Sequence, residues 1–203
     1  MKNTIDRRDF IKTAGATALA VSPMGFITGC GNKTKSGMVV TQEAGEMTYR
    51  TNKAKNDKVS ILGYGCMRWP MKKNEEGKDI IDQEKVNELI DYAIEKGVNY
   101  FDAAPVYLQG QCEAATGEAL SRHPRESYFV ATKLSNFKDA SRAEGIRMYK
   151  ASLEAFRTDY LDYYLLHSIK NAATFTKRFV ENGLMDFLME ERKAGRIRNL
   201  GFS

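Results

Sequence analysis

The sequence predicts an α/β fold built on a parallel sheet, and within that class a (β/α)8 barrel of which about the first five β/α units are present. Three observations carry this. Apolar runs of strand length alternate with amphipathic helical stretches, giving five strands about thirty residues apart. The turn after the first run, Gly63-x-Gly65 followed by Cys66, Met67 and Arg68, lacks the third glycine and helix start of an open dinucleotide-binding sheet. Three successive strands also hand a titratable side chain to the same end of the sheet, where a β/α barrel builds its rim.

The elements follow in order. A short hairpin is expected from Met47 to Thr51, turning through Asn52–Asp57 and returning from Lys58. The first apolar run is Val59 to Cys66, and a polar loop from about Pro70 to Asp82 follows. Val86, Leu89, Ile90, Ala93 and Ile94 recur at helical spacing, with Asp82 placed to cap the start and Gly97 the end. Val98–Phe101 reads as a strand and Glu113–Ser121 as a weaker helix. Ser127–Thr132 is the next strand, and Ile146, Tyr149, Leu153 and Phe156 mark one helix face. Leu161–Leu166, a helix over Leu184–Lys193 stopped by Gly195, and a strand over Ile197–Phe202 complete the series.

With 42% apolar and 28% charged residues, the composition is that of a globular chain with a sizeable core. The net charge of +5 is partly supplied by residues 1–29, and the remainder forms no basic stripe, so no nucleic-acid partner is expected. The three cysteines, Cys30, Cys66 and Cys112, include no C-x-x-C pair. That argues against a disulfide framework and leaves no metal motif.

Residues 1–29 read as an address. Arg7 and Arg8, followed by Phe10, Ile11 and Lys12, resemble a twin-arginine export signal, and a modestly apolar stretch runs from Thr13 to Gly29. Ile27-Thr28-Gly29-Cys30 resembles a lipobox, so Cys30 is the expected site of lipid attachment. Residues 30–46 form a polar tether and 47–203 the barrel portion. The expected setting is bacterial and exported: periplasmic, or membrane-anchored as a lipoprotein, with the twin-arginine machinery as a transport partner.

The chemistry is expected at the carboxyl ends of the strands. Asp102 ends the second strand, Tyr107 lies five residues on, Lys133 ends the third and His167 the fourth. Singly, each has a structural reading: a turn cap, a packing ring, a solvated lysine, a core histidine. Together on one edge they suit carbonyl reduction. Negative charge develops on the oxygen, and a proton must reach it. Free tyrosine is a poor acid at neutral pH, but a nearby ammonium favours the phenolate. Lys133 supplies that ammonium, Asp102 pairs with it, and His167 orients the carbonyl oxygen.

These segments resemble the aldo/keto reductases. Phe101-Asp102-Ala103-Ala104-Pro105-Val106-Tyr107 is similar to the family's Asp-to-Tyr motif, and Val130-Ala131-Thr132-Lys133 to its lysine strand. The stretches from Ser152 to His167 and from Ala194 to Ser203 resemble its histidine signature and the run before its fifth helix. The resemblance implies an NAD(P)(H)-dependent oxidoreductase with dissociable NADP(H) or NAD(H). It further implies a small carbonyl or alcohol substrate, with Tyr107 as general acid/base. It also implies that Met67, Asp102 and Ser203 lie near the nicotinamide end.

The sequence departs from the family pattern at Leu108, where the family often has glycine, and at Cys112, which stands in a serine's place. Cys66 and Cys112 are expected to be packing residues. Only five strands precede Ser203, against eight in a full barrel, so a truncated chain is expected. Iron–sulfur clusters, which the resemblance attaches to some exported members, would belong to a region after residue 203. The competing reading is a non-catalytic nucleotide-binding protein or scaffold lipoprotein on the same fold.

Overall fold

The computed structural model describes residues 45–53 and 55–203. The signal segment, Cys30 and nearly all of the tether lie outside the described residues.

Two strands, β1 (Tyr49–Asn52) and β2 (Asp57–Ser60), form the expected antiparallel hairpin. The main sheet has five parallel strands in the order β3 (Tyr64–Gly65), β6 (Tyr100–Asp102), β7 (Phe129–Leu134), β8 (Leu161–Leu166) and β9 (Ile197–Phe202). Sequential order with every neighbour parallel is the arrangement of successive barrel units. Helices α1 (Gln83–Glu95), α2 (Cys112–Leu120), α3 (Arg142–Ala155) and α5 (Leu184–Lys193) follow the first four strands.

The apolar run Val59–Cys66 is two elements. Val59 and Ser60 pair with β1, while only Tyr64 and Gly65 join the parallel sheet. Ile61 and Leu62 stand 62% and 60% exposed between them, so hydrophobicity alone misassigned the join. The stretch expected as a polar loop is a second hairpin, β4 (Met71–Lys73) with β5 (Asp79–Ile81). Asn74 supplies its turn, its side chain accepting from the N–H groups of Glu76 and Lys78. A short helix, α4 (Ala172–Phe175), continues into a π-turn at Thr176–Val180 that has no periodic signal in the sequence.

Helix α1 buries Val86, Ile90 and Ala93, whereas Leu89, expected on the same face, sits at its exposed margin. Gly97 ends the helix at φ +85°, and a β-carbon there would come within 2.7 Å of the Tyr49 hydroxyl and 2.8 Å of Met47. That close approach seats the first hairpin, whose Tyr49 hydroxyl donates to the Gly97 carbonyl. Further along the hairpin, Ser60 and Asn99 exchange hydrogen bonds, and Asn99 donates to the Lys58 carbonyl. The hairpin thus closes the amino ends of the strands.

The same end carries a buried fastener. Asp162, at the start of β8 and 1% exposed, accepts from Arg125, Arg198 and the Val130 N–H. It ties β7, β8 and β9 together away from the opposite, carboxyl-end rim.

Candidate active site

The register of the sheet builds the rim. Gly65 lies opposite Asp102, Asp102 opposite Ala131, Lys133 opposite Leu165, and Leu166 opposite Phe202. Asp102 therefore closes β6, His167 follows β8, Ser203 follows β9, and Met67 lies in the 3-10 turn after β3. Lys133 lies inside β7, one residue before the end it was expected to occupy. Its side chain is fixed from behind. Thr132 points to the opposite face, where it donates to the buried Glu113 carboxylate at 2.5 Å. Glu113 also accepts from Ser152 of α3 at 2.9 Å. Burial raises the Glu113 pKa above the usual carboxylate value.

Facing the rim, the Lys133 ammonium donates to Asp102 Oδ1 at 2.5 Å and to the Ala103 carbonyl at 2.7 Å. It lies 5.0 Å from the centre of the Tyr107 ring. Lys133 is 6% exposed, so its charge is held by these partners rather than by water. The Tyr107 ring meets the His167 ring edge-on, with centroids 6.1 Å apart. The structure thus brings together all four rim residues singled out from the sequence.

Tyr107 opens a tight bend. Leu108 and Gln109 both adopt left-handed backbone, at φ 49° and 56°. Glycine takes that conformation without penalty, which accounts physically for the glycine the resemblance leads one to expect at position 108.

His167 Nδ1 lies 2.6 Å from the Ser135 hydroxyl. Its pKa is lowered by burial, and further by the like charges of Lys133 and Arg178, with Asp102 opposing. Arg178, on the π-turn, donates to the His167 carbonyl at 2.8 Å and to Asn136 Oδ1 at 2.8 Å. Phe137, 48% exposed, forms a lip 5.1 Å from the His167 ring.

Ser135, Asn136, Phe137 and Arg178 escaped the sequence reading. Strand alternation could have found Ser135, two residues beyond Lys133. Arg178 has no comparable signal, because a π-turn is set by tertiary packing.

Trp69, donating to Thr116 at 2.9 Å, pins the turn that leaves Met67 51% exposed. Asp102 keeps its second carboxylate oxygen free of hydrogen bonds among the described residues, and its side chain is 33% exposed. The Ser203 hydroxyl accepts from the Ser168 N–H at 3.2 Å. Cys66 and Cys112 are both fully buried. Burial pushes the Cys112 thiol up to about 11 and raises that of Cys66 as well, which makes both poor nucleophiles. Among the described residues no group of three His, Cys, Asp or Glu side chains could hold a metal ion, and no helix is long and apolar enough to cross a membrane.

Comparison with known proteins gives a consistent result. The sequence profile of the Aldo/keto reductase family matches residues 61–203. The chain is 30% identical to probable aldo-keto reductase 1 of Glycine max, over 71% of this chain and 41% of that protein. It is 34% identical to the methylglyoxal reductase YeaE of Escherichia coli, over 54% of this chain and 36% of that protein. The solved holo form of aldo-keto reductase AKR11C1 from Bacillus halodurans aligns with a TM-score of 0.60 at 30% identity, covering 78% of this chain and 50% of that one. The chain spans between 36% and 50% of the length of these three proteins.

Proposed function

The chain belongs to the aldo/keto reductase family, and we propose that it carries the catalytic tetrad of a nicotinamide-dependent oxidoreductase acting on a small aldehyde, ketone, alcohol or sugar. The observation that supports this most is the Lys133 ammonium, held by Asp102 and the Ala103 carbonyl against the Tyr107 ring. Two charge-assisted hydrogen bonds, to a carboxylate and a carbonyl, fix the ammonium in position. It stabilises negative charge on the phenol oxygen, which lets Tyr107 give up a proton as charge grows on the substrate oxygen. His167 borders the same space and steadies that oxygen.

The residues present suit the nicotinamide end of NADP(H) or NAD(H). The free oxygen of Asp102 can accept from a ribose hydroxyl, exposed Met67 offers an apolar surface, and the Ser203 hydroxyl still has a proton to donate. Bound there in reduced form, such a cofactor supplies hydride to the carbonyl carbon. Tyr107→Phe is expected to lower kcat by at least about a hundredfold, the scale of a lost general acid, while leaving the cofactor Kd within about twofold. Undiminished turnover of carbonyl substrates by this variant would remove Tyr107 from its role.

We further propose that residues 1–29 direct export through the twin-arginine route and that Cys30 carries lipid, placing the protein in the periplasm or on a membrane surface. Changing Arg7 and Arg8 together to lysine should retain the chain in the cytoplasm. Unchanged fractionation of this double variant would contradict the export assignment.

A further inference from the structure

Ser135 lies just past β7, and only 4% of its surface is exposed. Its hydroxyl has one hydrogen-bonding partner among the described residues, the Nδ1 of His167 at 2.6 Å. Two hydrogen arrangements fit this distance. Either the serine donates to Nδ1, or an Nδ1–H donates to the serine oxygen.

The two are unequal. In the second, the serine hydroxyl hydrogen is buried without an acceptor, and an unmade buried hydrogen bond is costly. In the first, the serine donates, Nδ1 accepts, and both groups are satisfied. A neutral imidazole bonded in this way carries its single hydrogen on Nε2. That nitrogen has no hydrogen-bond partner among the described residues, and the ring that bears it borders Tyr107. The ring is flanked by Tyr107 and Phe137, with centroids 6.1 and 5.1 Å away, which limits its turning. Burial beside two cations also favours the neutral ring.

We propose that Ser135 is a positioning residue that fixes His167 in the Nε2–H tautomer, so that the imidazole meets a carbonyl oxygen already as a hydrogen-bond donor. Tyr107 keeps the separate task of delivering the proton. The inference deepens the reductase reading and rests on it for its kinetic consequence, but the tautomer is an equilibrium property that can be read without turnover.

The test is 15N NMR of the full chain labelled at histidine. The sequence has two histidines, and His167→Asn assigns the pair. His123 is separately held by Asp91 through its own Nε2 at 2.7 Å. In the native chain His167 should show a pyridine-type Nδ1 and a pyrrole-type Nε2. Ser135→Ala should move both toward a tautomer mixture, and Ser135→Thr, which keeps the hydroxyl, should restore the native signature. In activity, Ser135→Ala should lower kcat/KM about tenfold, chiefly through kcat, with Ser135→Thr within about threefold of native.

A pyrrole-type Nδ1 in the native chain overturns the proposal even if Ser135→Ala fails to fold, and so does an unchanged signature in a folded Ser135→Ala. The native signature, lost in Ser135→Ala and restored in Ser135→Thr, supports it. If that pattern is found in a chain that turns over no carbonyl substrate, the reductase reading fails while the tautomer assignment stands.

Discussion

His167 shows how a single residue can couple the site to the solvent. Burial, then the charges of Lys133 and Arg178, hold its pKa below the usual 6.5. The folded chain therefore takes up this proton less readily than the unfolded chain. The stability it contributes is fully present above the unfolded pKa and is lost as pH falls through the lower folded value. Between about pH 7.5 and pH 5.5, the urea midpoint should fall more steeply in the native chain than in His167→Gln. Parallel slopes in the two proteins would mean that this imidazole is not linked to folding. Most residues that carry the proposed chemistry were legible because they follow or end an apolar run, as Asp102 does after Tyr100–Phe101 and His167 after Leu161–Leu166, while Tyr107 was found by its five-residue step from Asp102. Their supports were not. Glu113 is a polar residue in a weakly amphipathic helix, and only the packing of α2 against β7 and α3 shows that it braces Thr132 and Ser152.

At the scale of elements, among the described residues, helical spacing and apolar runs found every helix of more than two turns and the last four strands of the parallel sheet. They failed where apolar residues had two destinations. Val59 and Tyr64 read as one strand, yet the chain turns between them, because Ser60 is bound to Asn99 while Tyr64 must reach Phe101. They failed again at Met71–Ile81, where lysines and acids on an exposed hairpin look the same as a loop. The contact of α2 with the end of α3 was equally hidden. A β-carbon at Gly117 would lie 2.1 Å from the Ala155 carbonyl oxygen and 2.6 Å from the Phe156 α-carbon. Those neighbours are backbone and cannot swing aside. Gly117→Ala is therefore expected to destabilise the chain by about 2–3 kcal/mol, the upper range for overpacking, despite alanine's better helix propensity. Thermal or denaturant unfolding checks this, and a gain in stability would show that the two helices separate freely.

Across the whole molecule, the two ends of the sheet hold different kinds of residue. Among the described residues, the carboxyl rim carries groups without a hydrogen-bond partner or a packed neighbour: the second Asp102 oxygen, His167 Nε2 and the exposed face of Met67. The amino end carries groups that are saturated, above all Asp162 between Arg125 and Arg198. Removing that carboxylate charge should affect folding and leave the rim alone. Asp162→Asn is expected to cost about 1–2 kcal/mol, since the carboxylate is buried but its two guanidinium partners are partly solvated, while the affinity for a nicotinamide dinucleotide stays within about twofold. A variant that folds normally but binds poorly would refute this division of labour.

The bend after Tyr107 has a consequence of another kind. Two consecutive non-glycine residues in left-handed backbone store about 1–2 kcal/mol each, in a molecule whose net stability is expected to be only about 5–15 kcal/mol. Exposed Gln109 could release part of that energy simply by becoming glycine, with little packing to lose. The released energy would also free the segment that aims the phenol. Durability and turnover are therefore opposed at this bend, and a lineage selected only for the first would be expected to relax it.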